Sequence, residues 1–219
     1  MSELTVYHGS SQIVEKPIYG YGNRDNDYGV GFYCTADVEL AREWACSEKT
    51  TAWCNKYTLA VDGLNILNLD SDEYTALQWL AVLVDNRNVH MGNAQAEIAA
   101  KWLIDNYLVD ISEYDLIIGY RADDSFFSIA RAFINNMMPL ESLSDALTRG
   151  DLGLQIVLKS EKAFKQLKFD KAEIVDRRIY YPRRVSRSER ASLEFFNLDM
   201  DKAKTGRFLM DLMREDGLK

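Results

Sequence analysis

Two short stretches hold residue types that could bind and orient a ligand. The first is Val6-Tyr7-His8-Gly9-Ser10. The second is Gly29-Val30-Gly31-Phe32-Tyr33-Cys34-Thr35, which runs into a helical pattern containing Ala41 and Trp44. An imidazole and a hydroxyl after a strand can hydrogen-bond a polar ligand, and glycines admit close backbone approach. Two rings eleven residues apart, Tyr33 and Trp44, can flank a planar cation, a stacking worth about 0.5–2 kcal/mol beyond its buried area. Taken singly, each stretch has a plainer explanation: His8 as a satisfied polar group at a core edge, the glycines as a tight turn, the ring pair as core packing. Neither glycine set fits a Rossmann fingerprint, which needs a third glycine and a downstream acid, or a P-loop, which needs a Lys-Ser/Thr end.

Together, and most closely over residues 5–45, the two stretches resemble the NAD-binding core of the diphtheria-toxin-like ADP-ribosyltransferases, notably the poly(ADP-ribose) polymerases. Those enzymes carry an aliphatic-aromatic-His-Gly-Ser strand end, then a G-x-G-x-Y strand leading into a helix, with a second aromatic eleven residues beyond the Tyr. The order His-Gly-Ser, G-x-G-F-Y-x-T, Ala122-Asp123-Asp124 and a late strand with Gln also resembles a bacterial family of unsettled function grouped with them. The resemblance implies that NAD is the substrate, that no metal is needed, and that nicotinamide is released as ADP-ribose passes to a protein or nucleic-acid acceptor. It implies that His8 bonds the adenosine ribose, that the Gly9 backbone holds the carboxamide, and that Tyr33 and Trp44 sandwich the nicotinamide. Ser10, Gly31 and Thr35 complete the cofactor-binding set. Ala41 departs from the pattern, since a serine at this spacing often helps hold the carboxamide.

The reaction passes through an oxocarbenium-like state, which a nearby carboxylate stabilises. In the family that carboxylate is a Glu on a late strand. Here the matching position is Gln155, within Leu152–Leu158. An amide can bond a ribose hydroxyl but cannot balance a cation, and losing one well-placed stabiliser costs about 3–4 kcal/mol of barrier. Asp123 or Asp124, in the turn after the Tyr114–Gly119 strand, could replace it, or the acceptor could bring its own carboxylate. Capping of the following helix explains Asp124 equally well, Asp123 less easily. Three outcomes follow: a mono-ADP-ribosyltransferase, an NAD glycohydrolase, or a degenerate module that binds NAD or another nucleotide without consuming it. An enzyme of this type could be a toxin held by an antitoxin, with the charged C-terminal helix as a contact surface.

The elements that must position these residues follow from periodicity. Leu4–Tyr7 and Gly31–Thr35 read as strands around a Gly/Asn/Asp/Tyr loop at 20–31. Asp37 is placed to cap a helix bearing Leu40, Ala41, Trp44 and Ala45. Strands follow around Trp53–Val61 and Leu64–Leu69, separated by Asp62-Gly63. Helices are predicted at Glu73–Asn86, Ala94–Tyr107, 125–136 and 140–149, with His90 exposed between the first two. A short helix at Glu161–Gln166, an extended segment at 165–175 and a charged helical region at 186–216 end the chain. The order of elements gives an α+β class, and the resemblance implies an ADP-ribosyltransferase-like split β-sandwich of two small sheets with inserted and peripheral helices. On that resemblance residues 1–175 are expected to form an ADP-ribosyltransferase-like NAD-binding domain, and 176–219 a basic segment and charged C-terminal helix packed on it.

Composition bounds the rest. Of 219 residues, 47% are hydrophobic, enough for one substantial core. No apolar run is long enough for a membrane helix and no secretory signal is visible, so a cytoplasmic location without membrane contact is expected. Cys34, Cys46 and Cys54 lack C-x-x-C spacing and suit reduced thiols. With His8 and His90 alone, zinc is not supported. The net charge of −8 argues against a whole-surface nucleic-acid binder. Arg177, Arg178, Arg183, Arg184, Arg187 and Arg190 nevertheless form a basic run that either faces an anionic partner or pairs with nearby acids.

Overall fold

The computed structural model describes residues 2–48, 50–87, 92–122, 124–149, 153–196 and 205–217. The element order is β1 (Glu3–Ser10), β2 (Phe32–Cys34), α1 (Val38–Ala45), β3 (Trp53–Ala60), β4 (Ile66–Asn68), α2 (Ala76–Asn86), α3 (Ala94–Tyr107), β5 (Leu116–Tyr120), α4 (Asp124–Ile134), α5 (Leu140–Arg149), β6 (Leu154–Leu158), α6 (Glu161–Gln166), β7 (Leu167–Ile174), α7 (Arg177–Phe196) and α8 (Leu209–Asp216). The class is α+β, built on two small sheets. One has three strands in the order β1-β3-β7, and the other has four in the order β2-β6-β5-β4.

The first sheet is antiparallel throughout. In the second only the β4–β5 pair is parallel. Side chains alternate across each strand, so Val6, Tyr57 and Leu59 of the first sheet meet Cys34, Leu116, Ile156 and Leu158 of the second in a shared buried layer. The opposite face of the second sheet, with Ile117 and Val157, packs under α2 to α5 in the largest core. A third cluster joins Ala41 and Ala45 of α1 to Cys54 and to Tyr180 and Tyr181 of α7.

Most of the sequence expectations for individual elements fall within a few residues. Asp37 caps α1, accepting from the backbone N–H of Glu39 at 2.8 Å and of Leu40 at 3.3 Å. Three differences stand out. The Asp62-Gly63 turn joins no hairpin, because β3 and β4 belong to different sheets and the turn carries the chain from one to the other. Helix α2 starts at Ala76, behind a Thr75–Gln78 capping box, rather than at Glu73. Helix α7 starts at Arg177, nine residues before the predicted helical region, and carries Pro182 inside it. His90, Asp123 and Leu152 lie outside the described residues. Among the described residues no helix is long and apolar enough to cross a membrane.

Candidate functional site

The two sheets touch along β1 and β2 at one bridge. The Tyr7 N–H donates to the Thr35 carbonyl at 2.8 Å, and the Thr35 N–H donates to that of Tyr7 at 2.9 Å. Beyond the bridge the two strands part, and this places His8 beside Tyr33. His8 Nδ1 lies 2.7 Å from the Tyr33 carbonyl oxygen. A carbonyl can only accept, so Nδ1 carries the proton and Nε2 is left as the lone-pair atom of a neutral ring. Burial holds the His8 pKa below its ordinary value, against the opposing pull of that hydrogen bond. Phe32 backs the ring at a centroid distance of 4.5 Å.

This lowered pKa has a sign that can be checked. An unfolded histidine titrates near pH ~6.5, whereas folded His8 resists protonation, so stability falls as pH drops from there through the folded-state pKa. Asp27 works in the opposite sense, because its raised pKa adds stability on protonation. The comparison that isolates His8 is therefore with His8→Gln. The wild type is expected to lose melting temperature relative to the variant on acidification below pH ~6.5. Parallel profiles would refute the assignment.

The long connection between β1 and β2 folds over the strand ends and is tied down twice. Asn55, fully buried, donates to the carbonyls of His8 at 3.2 Å and Gln12 at 3.3 Å and accepts from the Val14 N–H at 2.9 Å. Further on, Tyr28 is buried with its hydroxyl donating to the Tyr120 carbonyl at 2.8 Å and accepting from Trp79 Nε1 at 2.9 Å. The Tyr33 hydroxyl accepts from the Tyr28 N–H at 3.1 Å and donates to the Gly29 carbonyl at 2.6 Å. Lys159 clamps the same turn from below through the Tyr28 and Val30 carbonyls. Gly119, opposite Gln155 in the β5–β6 register, must lack a side chain, because a Cβ there would stand 2.9 Å from the Tyr28 ring carbon Cζ and closer still to its hydroxyl.

These ties leave a cleft of about 990 Å³ between the loop, α1, the end of β6 and α7, at the upper end of the range typical of ligand and cofactor sites. Its walls bring together His8, Ser10, Gly31, Tyr33, Trp44 and Gln155. Gly9 and Thr35 are not on that wall. Gly9 lies under α1, with no room for a Cβ beside Ala45 N at 2.6 Å. Thr35 is spent on the inter-sheet bridge and on accepting from the Asp37 N–H at 3.2 Å. Trp44 lies under a cation, with the Arg121 guanidinium 4.9 Å from its ring centroid. Its indole Nε1 is buried without a protein partner.

Sequence reasoning missed the carboxylate that stands next to Gln155, which is Asp27 of the loop. Asp27 is 3% exposed and Gln155 5%, so their partners decide whether burial is tolerable. Asp27 Oδ2 accepts from the Ala122 N–H at 2.9 Å and from Gln155 Nε2 at 3.0 Å. Its Oδ1 lies 2.7 Å from Arg87 Nη2, an ionic contact too oblique for a directed hydrogen bond. Burial raises the Asp27 pKa, while Arg87, the Ala122 N–H, Gln155 and Arg121 hold it down. Gln155 Oε1 and Arg87 Nε are buried without protein partners. Nothing in a Gly/Asn/Asp/Tyr loop marks one aspartate as buried, because Asp is also an ordinary turn former.

The cleft is electropositive on an acidic protein. Five cationic side chains, Lys16, Arg87, Arg121, Arg184 and Arg187, line it against the carboxylates of Glu15, Asp27 and Glu43. Much of the basic run of α7 is spoken for by neighbouring groups. Arg183 pairs with Glu39, Arg184 donates to the Cys46 carbonyl, and Arg187 grips Glu43 at 2.7 and 3.1 Å. Arg177 bonds the Glu48 carbonyl and Arg178 pairs with Asp176. Among the described residues no group of three or more His, Cys, Asp or Glu side chains is placed to hold a metal ion.

Residues 4–169 match the model of a family described as "Protein of unknown function (DUF3990)". The chain belongs to that family. The matched span contains β1 from its second residue, β2 to β6 whole, the start of β7 as far as Phe169 and all of the cleft wall except α7, so the DUF3990 region carries the four-stranded sheet and Gln155. No curated protein and no solved structure matches the chain.

Proposed function

We propose that this DUF3990 protein binds NAD in the cleft between the β1–β2 loop, α1, the end of β6 and α7 and transfers ADP-ribose to a macromolecular acceptor, on an ADP-ribosyltransferase-like split sandwich. The observation that carries the reading is the convergence of His8, Tyr33, Trp44 and Gln155, distant in sequence, on one cleft wall. The chemistry of that wall fits a dinucleotide. His8 Nε2 and Gln155 Oε1 are acceptors suited to ribose hydroxyls. The surplus of guanidinium and ammonium groups suits a diphosphate. Trp44 already stacks a planar cation, Arg121, and oxidised nicotinamide is another, which would take that place. In the reaction the ribose C1′–nicotinamide nitrogen bond breaks, and its electron pair leaves on the nicotinamide, which departs neutral. The acceptor's nucleophilic atom bonds C1′ and its proton passes to water.

A second reading, an NAD-binding module without turnover, is favoured by one observation: position 155 offers an amide where the related enzymes place a carboxylate. The deciding measurement is incubation with NAD, alone and with cell lysate, with free nicotinamide and free ADP-ribose quantified. Transfer gives lysate-dependent nicotinamide without matching ADP-ribose. Hydrolysis gives equal amounts of both without lysate. A binding module gives neither, with a saturable NAD complex. His8→Ala and Tyr33→Ala are each expected to weaken NAD binding by about tenfold or more, the worth of one lost ligand hydrogen bond or ring contact. Unchanged affinity in both would refute the NAD reading.

A further inference from the structure

A glutamine amide can sit either way round with almost no change of shape, presenting an acceptor or a donor to its surroundings. At Gln155 the choice is made by Asp27. An ionised carboxylate accepts and cannot donate, and its Oδ2 already takes the Ala122 N–H at 2.9 Å. The Gln155 atom 3.0 Å away must therefore be Nε2. The reversed amide would set two acceptors against each other in a buried site and leave Oδ2 with the Ala122 N–H as its one donor. Oε1 is thereby turned from Asp27, buried, on the cleft wall, and without a donor from the protein.

Four separate segments build this arrangement: Asp27 from the β1–β2 loop, Gln155 from β6, Ala122 after β5 and Arg87 after α2. The loop around Asp27 is fixed by the buried Tyr28 hydroxyl and by Lys159. The carboxylate is held in place before any ligand arrives. A hydrogen bond from an amide N–H to an anion also draws electron density onto the amide oxygen, strengthening it as an acceptor.

We propose that Asp27 is a positioning residue that acts through Gln155, fixing and polarising Oε1 as the acceptor for a sugar hydroxyl of the ligand. The inference rests on the NAD reading for the identity of that sugar, and on the geometry alone for the dyad. The negative charge in contact with the Gln155 amide stands on the β1–β2 loop and is balanced by Arg87. Protonating Asp27 would make it a donor and free the amide to turn. The charged and titratable groups facing it are Arg87, Arg121, Tyr28 and Tyr33.

The test uses the full chain and two readouts. The first, needing no ligand, is the side-chain amide resonance pair of Gln155, followed by NMR as pH is lowered and again in Asp27→Asn. These resonances are expected to titrate with a single carboxyl group and to shift in the variant. Resonances indifferent to both would overturn the proposal. The second is NAD affinity by calorimetry for the wild type, Asp27→Asn, Gln155→Glu and the double variant. Asp27→Asn is expected to bind about tenfold more weakly. Gln155→Glu alone sets two carboxylates together and binds more weakly still. The double variant recovers part of the loss, because the repulsion between two carboxylates is gone, but not all of it, because the amide group at the place of Oδ2 cannot both accept from the Ala122 N–H and donate to β6. A double variant no better than Gln155→Glu would overturn the proposal. A wild type that binds no NAD would refute the NAD reading, while the amide titration would still decide the dyad.

Discussion

Gly9→Ala is expected to cost about 3 kcal/mol or more of folding stability, and to do so with no ligand present. The added Cβ would stand 2.6 Å from the Ala45 backbone nitrogen and closer still to the Ala41 carbonyl oxygen. Both obstacles are backbone atoms of α1, so no rotamer change relieves them and the helix must move off β1. Overpacking by a single methyl typically costs about 1–3 kcal/mol where side chains can yield. Rigid neighbours put this site at the top of that range or beyond it. The same displacement would shift Trp44 and Glu43 of α1, and so open one wall of the cleft. For a chain of this size the loss corresponds to a melting temperature roughly 6–12 °C lower. Were Gly9 needed only to let a ligand approach its backbone, the variant would melt like the wild type and fail only in NAD binding. A melting shift within about 2 °C would therefore reject the packing explanation.

Gly9 also marks what a sequence can and cannot reveal. The His-Gly-Ser motif was legible as a strand end leading into a site, yet the physical demand on its glycine comes from a helix that begins nearly thirty residues later. Elements with strong local signals were readable: the Asp37 cap, the period-2 burial of β3 and the 3.6-residue pattern of α3 over Ala94–Tyr107. Strand partnership was not. Asp62-Gly63 has the chemistry of a hairpin turn, but the burial demands of two sheets send β3 to β1 and β7, and β4 to β5. The start of α7 was obscured because Pro182 lies inside its first two turns, and an internal proline ordinarily argues against a helix. Packing of Tyr180 and Tyr181 on the α1 cluster supplies what local propensity lacks.

The same division holds for the candidate site. His8, Tyr33, Trp44 and Gln155 could be singled out because each stands in a short motif, and all four line the cleft. Asp27 and Arg87 belong to no motif. They matter through one another and through Gln155, from segments far apart in the chain. On sequence grounds a replacement carboxylate is expected at Asp123 or Asp124, in the turn after a strand, or from the acceptor. The carboxylate that touches Gln155 is Asp27, in a loop whose composition suggests only turns.

Arg187 and Glu43 supply the second large effect. Glu43 sits on α1 beside Trp44, 4% exposed, and Arg187 of α7 grips it through Nε at 2.7 Å and Nη2 at 3.1 Å. This bidentate pair, with Arg184 on the Cys46 carbonyl, fastens the C-terminal helix to the wall of the cleft. Removing one member of a buried pair strands the other and costs about 3–5 kcal/mol, whereas an exposed pair is worth about 0–1. Arg187 has further interactions, so Glu43→Ala is expected near about 3 kcal/mol, the lower end of that range, measured as the shift in urea unfolding free energy. Replacing both partners with apolar side chains, as in Glu43→Leu with Arg187→Met, should recover most of the loss, because the desolvation of two charges disappears along with their attraction. A single-variant cost below about 1 kcal/mol would show that the pair behaves like a surface contact, and the packing of Tyr180 and Tyr181 with the bonds of Arg183 and Arg184 would then hold α7. If the double variant is stable yet binds NAD more weakly, with a shallower salt dependence, the guanidinium serves the ligand rather than the fold. The pair would then be retained for the charge it gives the cleft, since replacing it by apolar packing would have cost little stability.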